Sequence, residues 1–148
     1  MEFYAINADN LTHCVELFVT VFNSPPWNES WRPEAVVQRL DECFRTPNFY
    51  GLLAKVEGET VAFALGYGEQ WDQSQHFYLK EMCVATQQQR SGVGTALMEQ
   101  LEQNLKSRGV EKIYLYTARD SGAQSFYEKQ DFYVSSRTIM MAKWLKPK

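Results

Sequence analysis

The chain has 148 residues, with 15 lysines and arginines against 18 aspartates and glutamates and a net charge of -3. It therefore offers no basic stripe to a nucleic-acid backbone or an anionic membrane, and a small, cationic partner suits it better. At 45% hydrophobic and 14% aromatic residues it carries the apolar surface of a packed core, which excludes disorder as its main state.

A single domain over 1–148 is expected, since no repeat, low-complexity tract or Gly/Ser linker interrupts the sequence. Cys14, Cys43 and Cys83 share no metal-knuckle or redox-pair spacing, so they read as reduced, buried thiols and no metal site is implied. No apolar run approaches the roughly 20 residues that cross a bilayer. The first residues, MEFYAIN, lack the basic and apolar zones of a secretory leader, and a cytoplasmic protein is expected.

Phe3 to Ile6 form a first predicted strand, and Asp9 or Asn10 precedes a helix whose apolar face is Leu11, Cys14, Val15, Phe18, Val21 and Phe22. Pro25-Pro26 ends it. After the loop Trp27-Asn28-Glu29-Ser30-Trp31, Pro33 suits a first helical turn, and Val36, Val37, Leu40, Cys43 and Phe44 make a second amphipathic face. Strands are predicted over Tyr50 to Val56 and Thr60 to Tyr67, joined by Glu57-Gly58-Glu59, and a further strand over His76 to Val84. Val93, Leu97, Leu101 and Leu105, with Met98 beside them, mark a helix that Gly109 can close. A strand over Val110 to Thr117 then makes the crossover that joins parallel strands. Ser121 and Gln124 stand at capping-box spacing before a short helix ending near Lys129. Phe132 to Val134 and Thr138 to Ala142 are expected to complete the sheet.

The stretch from Val84 to Thr95, between a strand and the strongest helix pattern, suits a phosphate. A helix start leaves up to about four main-chain N–H groups without partners and about half a positive charge. Gly92 and Gly94 put no side chain in the way, and Arg90 adds charge. A Walker loop needs a lysine that follows neither glycine, and a Rossmann fingerprint needs a glycine where Leu97 stands. Both are excluded, while a tight turn without a ligand stays open as an alternative.

With Gln89 to Gly94 written QxxGxG, the sequence resembles the GNAT superfamily of acetyl-CoA-dependent N-acetyltransferases, whose pyrophosphate loop reads [RQ]xxGx[GA]. The resemblance extends over nearly the whole chain, to the segment from Ala123 to Phe132. It implies an α+β, mixed α/β fold: a central, mostly antiparallel sheet whose parallel fourth and fifth strands splay around the cofactor, flanked by helices. It also implies that main-chain groups at Met82, Cys83 and Val84 hold the pantetheine arm. Gln89, Arg90, Ser91, Gly92, Val93, Gly94 and Thr95 would hold the pyrophosphate, and Asp120, Ala123 and Phe126 would add cofactor contacts. Asp131 replaces the family's usual glycine before Phe132, Asp120 replaces a common asparagine, and Thr86 stands where proline is frequent.

Acetyl transfer needs a neutral amine, a polarised carbonyl and a protonated leaving thiolate. For a lysine-like amine of pKa ~10.4, deprotonation at pH 7 costs about 4.6 kcal/mol, so a carboxylate base helps. Glu81 is the sole carboxylate of the fourth strand, where alternation puts it on one face with Leu79 and Cys83; an ordinary ion pair is its alternative role. By the resemblance, Tyr127 is the general acid, with a core aromatic as the bland reading. His76 and His13 are weaker bases, and Cys83 as an acyl carrier lacks an evident histidine partner.

Trp27, Glu29 and Trp31 suit a cationic acceptor and look like the corresponding loop of some aminoglycoside 6'-N-acetyltransferases; the alternative is that the tryptophans staple the two helices. Glu69, Trp71 and Asp72 would extend an acidic rim. The expected function is transfer of acetyl from acetyl-CoA to a primary amine of a small polyamine-like, aminoglycoside-like or amino-acid-like acceptor, without metal or nucleic acid. A protein N-acetyltransferase and a non-catalytic acyl-CoA-binding module are the alternatives. A homodimer through Trp144-Leu145 fits the same resemblance.

Overall fold

The computed structural model describes residues 1–147. Met1–Tyr116 form one compact unit, and the residues from Thr117 onward form another. The first unit runs β1 (Glu2–Ala5), α1 (Leu11–Phe22), α2 (Pro33–Phe44), β2 (Phe49–Val56), β3 (Glu59–Gln70), β4 (Gln75–Val84), a 3-10 turn (Thr86–Gln88), α3 (Val93–Ser107) and β5 (Val110–Tyr114). The second contains α4 (Gly122–Lys129).

The five strands lie in the order β1-β2-β3-β4-β5, antiparallel except for the parallel β4–β5 pair. This is the mixed α+β arrangement the sequence implies. The β2–β3 turn has two residues, Glu57 and Gly58, both at positive φ (52° and 81°), the conformation that matches the twist of a tight hairpin. Strand alternation sends Leu53, Phe63, Leu65 and Cys83 to one face, where α1 and α2 bury them against Cys14, Phe18, Val36 and Leu40. The intervening residues Leu52, Ala62 and Ala64 are equally buried. They occupy the opposite face, against which α3 packs Leu97, Met98 and Leu101.

Four expectations need correction. Asn10 precedes α1 but does not cap it through its side chain: its own backbone is helical, and its amide instead accepts from Asn7 N–H (2.8 Å) and donates to the Ala5 carbonyl (3.0 Å). β5 ends at Tyr114 rather than Thr117 because its pairing to β4 stops at Tyr78 and the residues beyond have no strand partner among those described.

The segments 132–134 and 138–142 form no strand. Ile139, Met140 and Met141 are contiguous rather than alternating and all exposed, so no buried face selects a register for them. Finally, Glu81 does not share a face with Leu79. A β-bulge at Lys80 sets Leu65 opposite Glu81 but Gly66 opposite Leu79. The extra residue reverses the alternation and places Glu81 beside Tyr78 and Cys83.

Candidate active site

The site is built where β4 stops pairing with β5. β4 keeps β3 as a neighbour along its whole length, but its parallel pairing to β5 covers only Gln75 to Tyr78. From Leu79 to Val84 the side of β4 away from β3 is without a strand partner among the described residues. Gly66 permits the bulge that accompanies this loss of pairing: a Cβ there would stand 1.9 Å from the Tyr78 carbonyl oxygen, so no side chain fits.

At the end of the open half lie Met82, Cys83 and Val84, followed by Ala85, whose N–H makes the last bond to β3 at the Val61 carbonyl (2.7 Å). The chain then winds through Thr86–Gln88 and enters α3 by a loop with two residues in the left-handed region, Arg90 (φ 65°) and Gly92 (φ 89°). Gly92 is the N-cap of α3, and a Cβ at that position would meet open space. Among the described residues no side chain caps this helix, and no acidic residue lies in its first turn. The first helical bond here runs from Ala96 N–H to the Gly92 carbonyl (3.0 Å). The amides of Val93 and Gly94 thus point ahead of the helix with the positive end of its dipole.

Two side chains of the loop are used to shape it. Gln89 donates Nε2 to the Val84 carbonyl (3.0 Å), tying the loop to β4, and the Ser91 hydroxyl donates to the Gln88 carbonyl. Thr95 lies in the first turn of α3.

Glu81 is 11% exposed and accepts from Arg39 Nε of α2 at 2.6 Å. Burial pushes its carboxyl above the ordinary value, and the Arg39 guanidinium opposes that shift. Arg39 also lies 5.5 Å from the Trp31 ring, so the cation beside that tryptophan is the protein's own. Trp31 packs edge-on to Phe18 (5.2 Å) and Trp27 against Phe22 (5.5 Å). Asn23 clamps the Trp31 main chain from both sides, and Glu29 accepts from Trp31 Nε1 at 2.8 Å. Trp31 therefore bridges α1 and α2, while Trp27 packs on α1. Glu29 lines a shallow depression of about 330 Å³ with Ser30, Arg32 and Ala35.

The remaining candidates fall elsewhere. Burial pushes the Cys83 thiol far above its ordinary value, and its sulfur approaches the Leu17 carbonyl (3.9 Å), which leaves it a poor nucleophile. His76 stacks on Trp71 (4.6 Å), and His13 lies half-buried on α1. No group of three or more histidine, cysteine or acidic side chains is gathered for a metal among the described residues.

In the second unit, Ser121 caps α4 by accepting from Gln124 N–H (3.1 Å), while Gln124 Oε1 accepts from Asp120 N–H (2.6 Å). Asp120 and Asp131 both adopt positive φ (58° and 68°), as expected of a residue replacing glycine at Asp131. Tyr127 packs between Phe126 (5.3 Å) and Phe132 (5.4 Å). Ala123 lies in the first turn of α4.

A model of the acetyltransferase (GNAT) family matches residues 13–132. The chain belongs to the GNAT family. Acetyltransferase SG1711 of Sodalis glossinidius (strain morsitans) is 28% identical over 146 residues, covering 98% of this chain and 96% of the relative. An aminoglycoside acetyltransferase from an uncultured soil metagenomic sample, solved with sisomicin, superposes with a TM-score of 0.76 at 19% identity, over 98% of this chain and 96% of that one. The aminoglycoside N-acetyltransferase AAC(6')-Iy, solved with CoA, gives a TM-score of 0.75 at 17% identity, over 96% and 93%. At such identity these two likenesses speak to the fold. The GNAT chain is an acetyl-CoA-dependent N-acetyltransferase.

Two features of the GNAT site escaped the sequence reading. The ion pair expected as the alternative role of Glu81 is present, but its partner Arg39 stands 42 residues away and nothing local announces it. The bulge did leave a signal, since a glycine inside a strand pattern often marks one, and Gly66 stands opposite it.

Proposed function

We propose that this enzyme moves the acetyl group of acetyl-CoA to the primary amine of a small, cationic acceptor by direct attack, with residues 1–148 acting as one transferase domain. The observation that carries the reading is the uncapped, glycine-started N-terminus of α3 immediately beyond the half of β4 that has lost β5. Main-chain donors from Arg90 to Thr95 hold the diphosphate there, with Gln89 fixing the loop. The open edge from Met82 to Val84 bonds the pantetheine arm as an added strand would, and Asp120, Ala123 and Phe126 add further contacts. The strain of Arg90 at φ 65° suits a loop whose amides serve a ligand.

The co-substrate supplies an activated acetyl thioester; the chain's own residues handle protons. A carbon–nitrogen bond forms between the amine and the carbonyl carbon, and the carbon–sulfur bond breaks. An ammonium acceptor gives up two protons overall: one appears on the departing sulfur and one reaches solvent. Glu81 takes a proton from the amine, its raised pKa making it a better acceptor than an ordinary carboxylate, while Arg39 keeps it ionised. Tyr127, matched to the family's tyrosine, gives its proton to the thiolate. Glu29 at the rim and the tryptophans Trp27 and Trp31 shape the acceptor side.

The aminoglycoside acetyltransferases of the same fold support an amine-bearing small molecule. We place the reaction in the cytoplasm, and exposed Trp144 and Leu145 favour a homodimer. Calorimetry with acetyl-CoA and thiol release with a panel of amines test the reading. Binding together with amine-dependent release is expected; absence of acetyl-CoA binding overturns it, and binding without turnover on any amine rejects the catalytic part.

A further inference from the structure

Three strands of the first unit place a tyrosine at the same level. Tyr67 of β3 lies opposite Tyr78 of β4, and Tyr78 lies opposite Tyr114 of β5. Their rings form a continuous row, with centroids 5.5 Å apart for Tyr67–Tyr78 and 5.1 Å for the stacked pair Tyr78–Tyr114. Tyr116, 62% exposed, closes on Tyr78 at 5.8 Å. The row sits at the last paired position of β4 and β5, so it borders the point at which these strands part. Because of the bulge, it is also on the face that carries Glu81.

The charges around the row are few. Glu81 is already matched by Arg39, and Glu69 accepts from the Tyr114 hydroxyl at 2.7 Å. Lys112 and His76 belong to the same face two pairing levels away. Lys80 and Glu29 also act on Glu81, so three carboxylates against one guanidinium and two ammonium groups leave no surplus of negative charge for a polycation, whereas four rings offer flat apolar surface and negative π-faces.

We propose that the tyrosine row is the acceptor platform and selects a monoamine carried on a ring or other flat apolar body, which lies against Tyr78 and Tyr116 with its ammonium toward Glu81. This rests on the transferase reading above and narrows its acceptor. Tyr114, held by Glu69, positions Tyr78 rather than touching the amine.

The test is steady-state thiol release by the full chain with acetyl-CoA and four amines: 2-phenylethylamine, butylamine, spermidine and kanamycin. The proposal expects kcat/KM for 2-phenylethylamine to exceed that for each of the others by about tenfold. Tyr78→Leu and Tyr116→Ala should each raise the KM for 2-phenylethylamine several-fold and that for butylamine by clearly less, with the affinity for acetyl-CoA unchanged; Tyr78→Phe should retain the preference. A higher kcat/KM for spermidine or kanamycin, or an equal loss on all amines in Tyr116→Ala, overturns the platform while leaving the transferase reading intact. No thiol release with any amine despite acetyl-CoA binding, or no binding at all, overturns both.

Discussion

The N-termini of α3 and α4 follow glycine and serine respectively, and they solve the same problem in opposite ways. At α4 the serine hydroxyl answers the Gln124 amide from within the protein, and the Gln124 side chain ties back to the Asp120 N–H before the cap. At α3 Gly92 has no side chain to do so, and the first turn is without acid. In the proposed function α4 contributes a side chain, Tyr127, for which a closed and rigid end is useful. In the same proposal α3 contributes its main chain, for which an open end is useful. α1 and α2 also lack side-chain caps, yet α1 draws on an interlocked Asn7–Asn10 turn, and α2 starts with Pro33, which has no N–H to satisfy, and carries Glu34 in its first turn.

The largest expected effect strikes the side-chain helix. Tyr127→Phe should lower kcat on the order of 10²-fold with acetyl-CoA affinity and melting temperature kept, measured by thiol release, calorimetry and thermal unfolding; an unchanged kcat removes Tyr127 from the chemistry. Next comes the main-chain helix. Gly92→Asp forces a side chain into the left-handed region and sets a carboxylate before the open amides, so acetyl-CoA should bind about tenfold more weakly or worse. Equal affinity would mean that the α3 end carries no phosphate.

A third perturbation leaves both helix ends alone. Burial holds the Glu81 carboxyl above its ordinary value while Arg39 pulls it down. kcat/KM should therefore fall as pH drops through that raised value, and Arg39→Met should move the acidic limb to still higher pH. A limb that stays where it was in Arg39→Met, or survives in Glu81→Gln, assigns the base elsewhere. The smallest effect belongs to the cap: Ser121→Ala should cost about 1 kcal/mol in chemical denaturation and leave acetyl-CoA affinity as it was. Loss of affinity there would erase the distinction between the two ends.

Much of this contrast was legible beforehand because it is local. Helical spacing of apolar residues located α1, α2 and α3, the Glu57-Gly58 turn fixed a hairpin, and Ser121 with Gln124 spelled out the cap. The position of QxxGxG between strand and helix located the turn into α3. What stayed hidden depends on chain segments far apart. The bulge at Lys80 arises from how β3 and β4 register, so the face of Glu81 was assigned beside the wrong neighbour. The pairing of Arg39 with Glu81, and the tyrosine row across three strands, exist only once the sheet is assembled. The two tail segments failed for a related reason: a strand needs an edge to pair with, and sequence pattern alone supplies none.

Amide chemical-shift mapping during titration with CoA, and separately with pantetheine, which lacks the diphosphate, is the most direct measurement of the α3 end. The account predicts that the amides of Gly92, Val93 and Gly94 move strongly with CoA and hardly at all with pantetheine, while those of Ser121 to Gln124 show no such dependence on the diphosphate. Amides from 90 to 95 that stay in place as CoA saturates the protein would contradict it.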